Sequence, residues 1–147
     1  VPVSQGALQI QAADKAAVNV RIDVLGYTVH GGNQAAVGTA PAKLDRGRYD
    51  VGEVKVVQVR GVGPVPKKAK KVTAVILRVT AKGLGQEGRF AAYPVGGADL
   101  GTTSAPIPAT GKTSSVVVAD IGTDGQVALA SSVKAKVRVQ VIGYVKK

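Results

Sequence analysis

The sequence predicts an all-β chain, a β-sandwich of short antiparallel strands with an extra hairpin at its N-terminus, and three observations carry that expectation. Nineteen Gly, seven Pro and an abundance of Val disfavour long helices and favour short strands joined by turns. Turn signals recur at roughly 8 to 12 residue intervals, the spacing of sandwiches and barrels. The stretch Lys134 to Val141 alternates strictly, with Ala135, Val137, Val139 and Val141 on one side and Lys134, Lys136, Arg138 and Gln140 on the other, as in a strand with one buried face. At 147 residues the chain is long enough for a real core. With one Phe and no Trp or Met, that core must be built from Val, Ala, Leu and Ile.

The closing element has a copy at the start of the chain. Aligned from the shared Gly-Tyr end, Val20, Arg21, Ile22, Val24 and Leu25 match Val137, Arg138, Val139, Val141 and Ile142. Each copy reads as a hairpin, with Leu8 and Ile10, or Val127 and Leu129, leading into the alternating strand. The surplus copy occupies residues 1–29. Its apolar positions Leu8, Ile10, Val18, Val20, Ile22 and Val24 form the expected assembly surface: packed on its own domain the copy supplies extra strands to one sheet, and packed on a neighbouring subunit it completes that subunit's sheet by strand addition. Residues 30–42, rich in small residues and turn formers, read as a linker or extended segment. Residues 43–147 read as the sandwich proper.

Within that domain a strand is expected from Glu53 to Arg60, ended by the prolines of Gly61 to Pro66. Val72 to Thr80 is apolar on both faces for most of its length, which marks a central strand. Arg89 to Tyr93 is a short strand carrying the only Phe, and Thr102 to Pro108 is extended but kept by its prolines at a sheet edge or outside the sheet. Ser114 to Ile121 is a strand, and Gly122 to Gly125 is a hairpin turn into the closing element.

The net charge of +11 is unevenly placed: Lys55, Arg60, Lys67, Lys68, Lys70, Lys71, Arg78 and Lys82 follow one another without an acid between them. Lys67, Lys68, Lys70, Lys71, Lys134, Lys136 and Arg138 are the expected contacts of an anionic partner, such as a phosphate-bearing wall polymer or an acidic protein surface. The competing reading is a solvated strand face whose lysines keep the protein in solution and blunt sheet edges.

Chemistry is sparse. The absence of Cys excludes disulfides, thiolate metal sites and thiol nucleophiles. His30, the only His, falls in a loop context and cannot by itself supply a triad or a metal site. Asp45, Asp50 and Glu53 lack the regular spacing of a calcium loop and are expected to pair with Arg46, Arg48 and Lys55. No cofactor and no enzymatic activity is expected. Five aromatic residues are too few for a single-strand stacking platform, which makes nucleic acid an unlikely partner. No apolar run approaches the roughly 20 residues of a membrane span. The opening Val1-Pro2-Val3-Ser4, without initiator Met or leader, reads as a processed product.

A specific order of motifs runs through the domain: KLDRGR (Lys43 to Arg48), VRGVGPVP (Val59 to Pro66), AVILRVTAKG (Ala74 to Gly83), GRFAAYPVGG (Gly88 to Gly97), the long segment Thr103 to Ser132, and VRVQVIGY (Val137 to Tyr144). This order resembles a repeat domain of secreted actinobacterial cell-surface proteins, the type ending in Val-Asp-Val-x-Gly-Tyr and found beside wall hydrolases and peptidases. Residues Val18 to Thr28 look like the tail of a preceding repeat. Asp45-Arg46-Gly47-Arg48 stands where the family has an Asp-Thr-Arg element, and Arg78 where it has an Asn. The resemblance implies an extracellular, non-enzymatic structural or adhesive module. It is also compatible with a wall-glycan binding module of a secreted enzyme and with a virion decoration protein.

Overall fold

The structure is a computed structural model that describes residues 35–67, 72–97, 104–122 and 124–147, and among these every regular element is a strand. They are β1 (Ala35–Tyr49), β2 (Val54–Gln58), β3 (Val72–Gly83), β4 (Gly88–Pro94), β5 (Ser104–Ile107), β6 (Lys112–Asp120), β7 (Gln126–Ser131) and β8 (Ala135–Lys146). They form two four-stranded antiparallel sheets, ordered β1-β8-β3-β6 and β2-β7-β4-β5. The inward halves of the two sheets meet in one core, so the chain is an all-β sandwich.

Alternation selects which side chains enter that core. Val75, Leu77, Val79 and Ala81 of β3 and Ala135, Val137, Val139 and Val141 of β8 are buried, facing Phe90 and Ala92 of β4 and Val127 and Leu129 of β7. β3 lies between β8 and β6, the interior place its two-sided apolarity calls for. β5 lies at an edge, where Pro106 removes no bond that the sheet needs. Val59 and Val65, from the connection after β2, are buried in the same core.

Three expectations need correction. The closing element is not a hairpin: β7 belongs to one sheet and β8 to the other. The alternation of β8 is the same whether its neighbour in sequence pairs with it or crosses above it, so the pattern alone does not distinguish the two. The crossing is fixed locally, by Val133 buried between the strands, by Ser131 Oγ donating to the Val133 carbonyl at 2.6 Å and by Ser132 N–H donating to the Arg89 carbonyl at 3.0 Å. The turn before β7 likewise passes from one sheet to the other rather than closing a hairpin. There Gly125 has φ 78°, which a side chain rarely adopts.

The third correction concerns residues 30–42. From Ala35 onward this segment is not a linker but the first part of β1, paired with β8 from Ala35 opposite Lys146. The register shifts between Gly38 and Ala42, an irregularity that accommodates Pro41, which has no N–H to offer a ladder. The proposed N-terminal hairpin, residues 1–29, lies outside the described residues, as do Leu8, Ile10, Val18, Val20, Ile22 and Val24.

One side of the sandwich is closed by an aromatic pair. Tyr49 at the end of β1 and Phe90 of β4 are both fully buried and meet edge-to-face, ring centroids 5.1 Å apart at 87°, a favoured geometry for two rings. Lys55 of β2 reaches across, its Nζ 4.1 Å from the Tyr49 ring centroid and donating to the Arg48 carbonyl at 3.1 Å. The Tyr49 hydroxyl donates to Asp45 Oδ2 at 2.5 Å. Burial foremost, then the bond to Asp45 and the negative charge of Asp45 and Glu53, push the phenol well above the ordinary tyrosine range.

The native state therefore keeps this proton at a pH where the unfolded chain releases it. Stability from this group is complete below about pH 10 and is lost as pH rises beyond it. Urea unfolding at a series of alkaline pH values should show wild type weakening faster than Tyr49→Phe, and Tyr49→Ala losing about 3–5 kcal/mol at neutral pH. Parallel pH dependence in wild type and Tyr49→Phe would contradict the placement of Tyr49.

Candidate anion-binding face

Strand order turns four distant stretches of sequence into one surface. On the outer face of the first sheet, the registers align Arg48, Lys136, Lys82 and Lys112 in a row that crosses β1, β8, β3 and β6. The next row is Arg46, Arg138, Thr80 and Ser114, and the third is Lys43, Gln140, Arg78 and Val116. The cations in all three rows are exposed. None of these positions holds an acid. With adjacent strands about 4.8 Å apart, the first row spans roughly 14 Å. A shallow hollow of about 500 Å³ lies over the first two rows, lined by Arg46, Arg48, Lys82, Lys112, Lys136 and Arg138 with Thr80 among them. The Thr80 and Ser114 hydroxyls stand 3.3 Å apart beside it.

Two physical points separate this face from an ordinary solvated strand face. Like charges directly opposite one another across a strand pair are destabilising, and the first row repeats that arrangement at each of its pairings. Lysines that guard sheet edges belong on edge strands, whereas Lys136 and Arg138 of β8, and Arg78 and Lys82 of β3, stand on interior strands. Edge protection accounts for neither group.

The expected contacts of an anionic partner are divided. Lys136 and Arg138 lie at the centre of the face. Lys134 precedes β8 and sits 4.0 Å from Asp50 Oδ1, an exposed ion pair at the turn after β1. Lys67 lies in the β2–β3 connection, its stem over Gly61, in a loop that bonds through Val59 N–H to the Gly125 carbonyl. That is the end of the strands away from Lys136, so Lys67 does not join the face. Lys68, Lys70 and Lys71 lie outside the described residues.

The expected contacts left out Lys43, Arg46, Arg48 and Lys112, and Arg78 and Lys82 entered only as members of the acid-free basic run. Arg46 and Arg48 were expected to pair with acids. Asp45 instead accepts from Tyr49, Asp50 stands beside Lys134, and Glu53 lies 3.6 Å from Lys55, the one expected pair that forms among the described residues. The register shift between Lys43 and Asp45 turns Arg46 and Arg48 outward. A usable signal existed in β3, where Arg78 and Lys82 interrupt an otherwise apolar strand at its outward positions.

Among the described residues no group of acids or histidines could hold a metal ion, and no helix is long and apolar enough to cross a membrane. His30 is outside those residues. No family model matches the chain, and no curated protein matches it.

If the first row is held together against its own repulsion, relieving that repulsion stabilises the free protein. Lys82→Glu, which converts two like-charge pairs into opposite ones, should raise stability by roughly 1 kcal/mol, read as a higher urea midpoint. Added salt should stabilise wild type more than the variant. A lowered midpoint for Lys82→Glu at low salt would contradict the row.

Proposed function

We propose that this chain is a non-enzymatic extracellular module, structural or adhesive, that associates with itself and turns the basic outer face of its first sheet toward an anionic partner. The observation that carries the reading is the row Arg48, Lys136, Lys82 and Lys112. It is a cost to the free fold, and a bound polyanion removes that cost by supplying the missing negative charge. Extracellular placement rests on the motif order and its resemblance to secreted actinobacterial repeat domains.

The face favours a ligand read by charge. No aromatic ring stands in its three rows, so neither base stacking nor the flat ring contacts common in glycan recognition are available there. The arginines add forked donors suited to phosphate or carboxylate oxygens. Thr80 and Ser114 add hydroxyls between the cations.

Binding to immobilised inorganic polyphosphate tests the proposal. Wild type should bind with an affinity that falls steeply as salt rises, and Lys82→Glu with Lys136→Glu should weaken binding at least tenfold. Val54→Asp with Val56→Asp introduces acids on the opposite sheet, at exposed positions of β2, and should leave most of the affinity in place. The first variant removes four units of charge and the second two, so a loss merely proportional to the charge removed, or an equal loss in both, would reduce the effect to net charge and overturn the assignment of the face.

A further inference from the structure

The sandwich has four edge strands, and three of them carry features that discourage pairing with another chain. β1 is irregular at two register shifts and contains Pro41. β2 has five residues and turns Lys55 toward the Tyr49 ring. β5 has four residues, one of them Pro106. Short strands, bulges, inward-pointing charges and prolines are the usual protections of an edge. β6 has none of these, and its charged residues, Lys112 and Asp120, stand only at its two ends. Its nine residues pair with β3 without a register shift, contain no Pro, and among the described residues have no strand on their other side.

The sequence of β6 is complementary to itself when reversed. Set antiparallel about Val116, Lys112 falls opposite Asp120 of a second copy, Ser114 opposite Val118, and Val116 opposite its own counterpart. On the inner side Thr113 falls opposite Ala119 and Ser115 opposite Val117. Opposed residues share a face in an antiparallel pair, so each end of the strand gains an ion pair and the centre gains a Val–Val contact. Val116 is 38% exposed in the single chain. Neither Lys112 nor Asp120 has an ion pair among the described residues.

We propose, building on the self-association in the reading above, that the partner surface is β6 and its occupant is β6 of a second copy, paired antiparallel about a two-fold axis through Val116. The arrangement is isologous and closed, so it yields a dimer rather than a filament. It joins two four-stranded sheets edge to edge. The axis is perpendicular to the joined sheet, so both basic faces look out on the same side. A long polyanion then meets two sites held at a fixed separation, and the second contact is intramolecular. A single strand pair covers less than the roughly 800 Å² per partner of standard stable complexes. The dimer is therefore reversible and concentration-dependent.

Sedimentation over a range of protein concentrations tests this. Wild type should move from one chain mass toward two. Val116→Lys sets two like charges face to face at the axis and should weaken association at least tenfold, with urea unfolding showing that the fold persists. Asp120→Lys should weaken it similarly, and combining Asp120→Lys with Lys112→Asp should restore it to within a few-fold of wild type, an outcome that unfolding cannot imitate. Lys136→Glu with Arg138→Glu, both on β8 and paired with β1 and β3 rather than with β6, should leave association intact while weakening polyphosphate binding, which separates failure of the dimer from failure of the anion face. Wild-type association in Val116→Lys overturns the proposal. So does loss of association in Val20→Lys with Ile22→Lys while Val116→Lys still associates, which would assign the joint to the N-terminal stretch.

Discussion

The period-two alternation of β8 is the constraint on which the rest of this structure depends. β8 is paired on both sides, with β1 and with β3, so its register sets the register of the sheet. Its inward residues Ala135, Val137, Val139 and Val141 are buried, and its outward residues include Lys136 and Arg138. A slip of one residue would exchange the two sets. It would carry Lys136 and Arg138 into a core built of small aliphatic side chains, at a cost of several kcal/mol per buried charge. The core and the basic face are thus two consequences of one register.

A core of Val and Ala contributes little per side chain, so the few large residues matter. Burying a Val or Leu side chain yields about 1.5–3 kcal/mol, and aromatic residues bury more area each. Tyr49 and Phe90 are the largest fully buried side chains, and they come from opposite sheets. Their edge-to-face contact links β1 to β4, and Lys55 links β1 to β2 over the same ring. This closes the side of the sandwich where the two sheets end in β1 and β2. Gly47 lies beside that side chain, where an added Cβ would make ordinary van der Waals contact with Lys55 Nζ at 3.5 Å. It also separates Arg46 from Arg48, so the same short segment closes the core on one side and presents two cations on the other.

Fold class was legible because it rests on composition and on alternation, both local properties. The interior place of β3 and the edge place of β5 were legible for the same reason, through two-sided apolarity in one and proline in the other. The crossing between β7 and β8 was not, because a strand's alternation records which of its faces is buried and not which strand lies beside it. The basic face was legible only at Lys136 and Arg138. Its other members come from Lys43 to Arg48, Arg78 to Lys82 and Lys112, and only the order β1-β8-β3-β6 brings these together. A run of lysines draws attention in a linear reading, yet Lys67 lies at the opposite end of the strands from Lys136. Single cations spaced by two along separate strands matter more, since sheet geometry places them about 5–7 Å from one another.

The central claim is that register gathers scattered cations into one anion-binding surface. Its most direct measurement is the amide chemical-shift perturbation of isotope-labelled protein titrated with short-chain polyphosphate. The account predicts that shifts concentrate on β8, β3, the second half of β1 and the start of β6, around Arg46, Arg48, Lys82, Lys112, Lys136 and Arg138, and vanish at high salt. Shifts centred on β2, β7, β4 and β5, or spread evenly over the exposed lysines of both sheets, would contradict it.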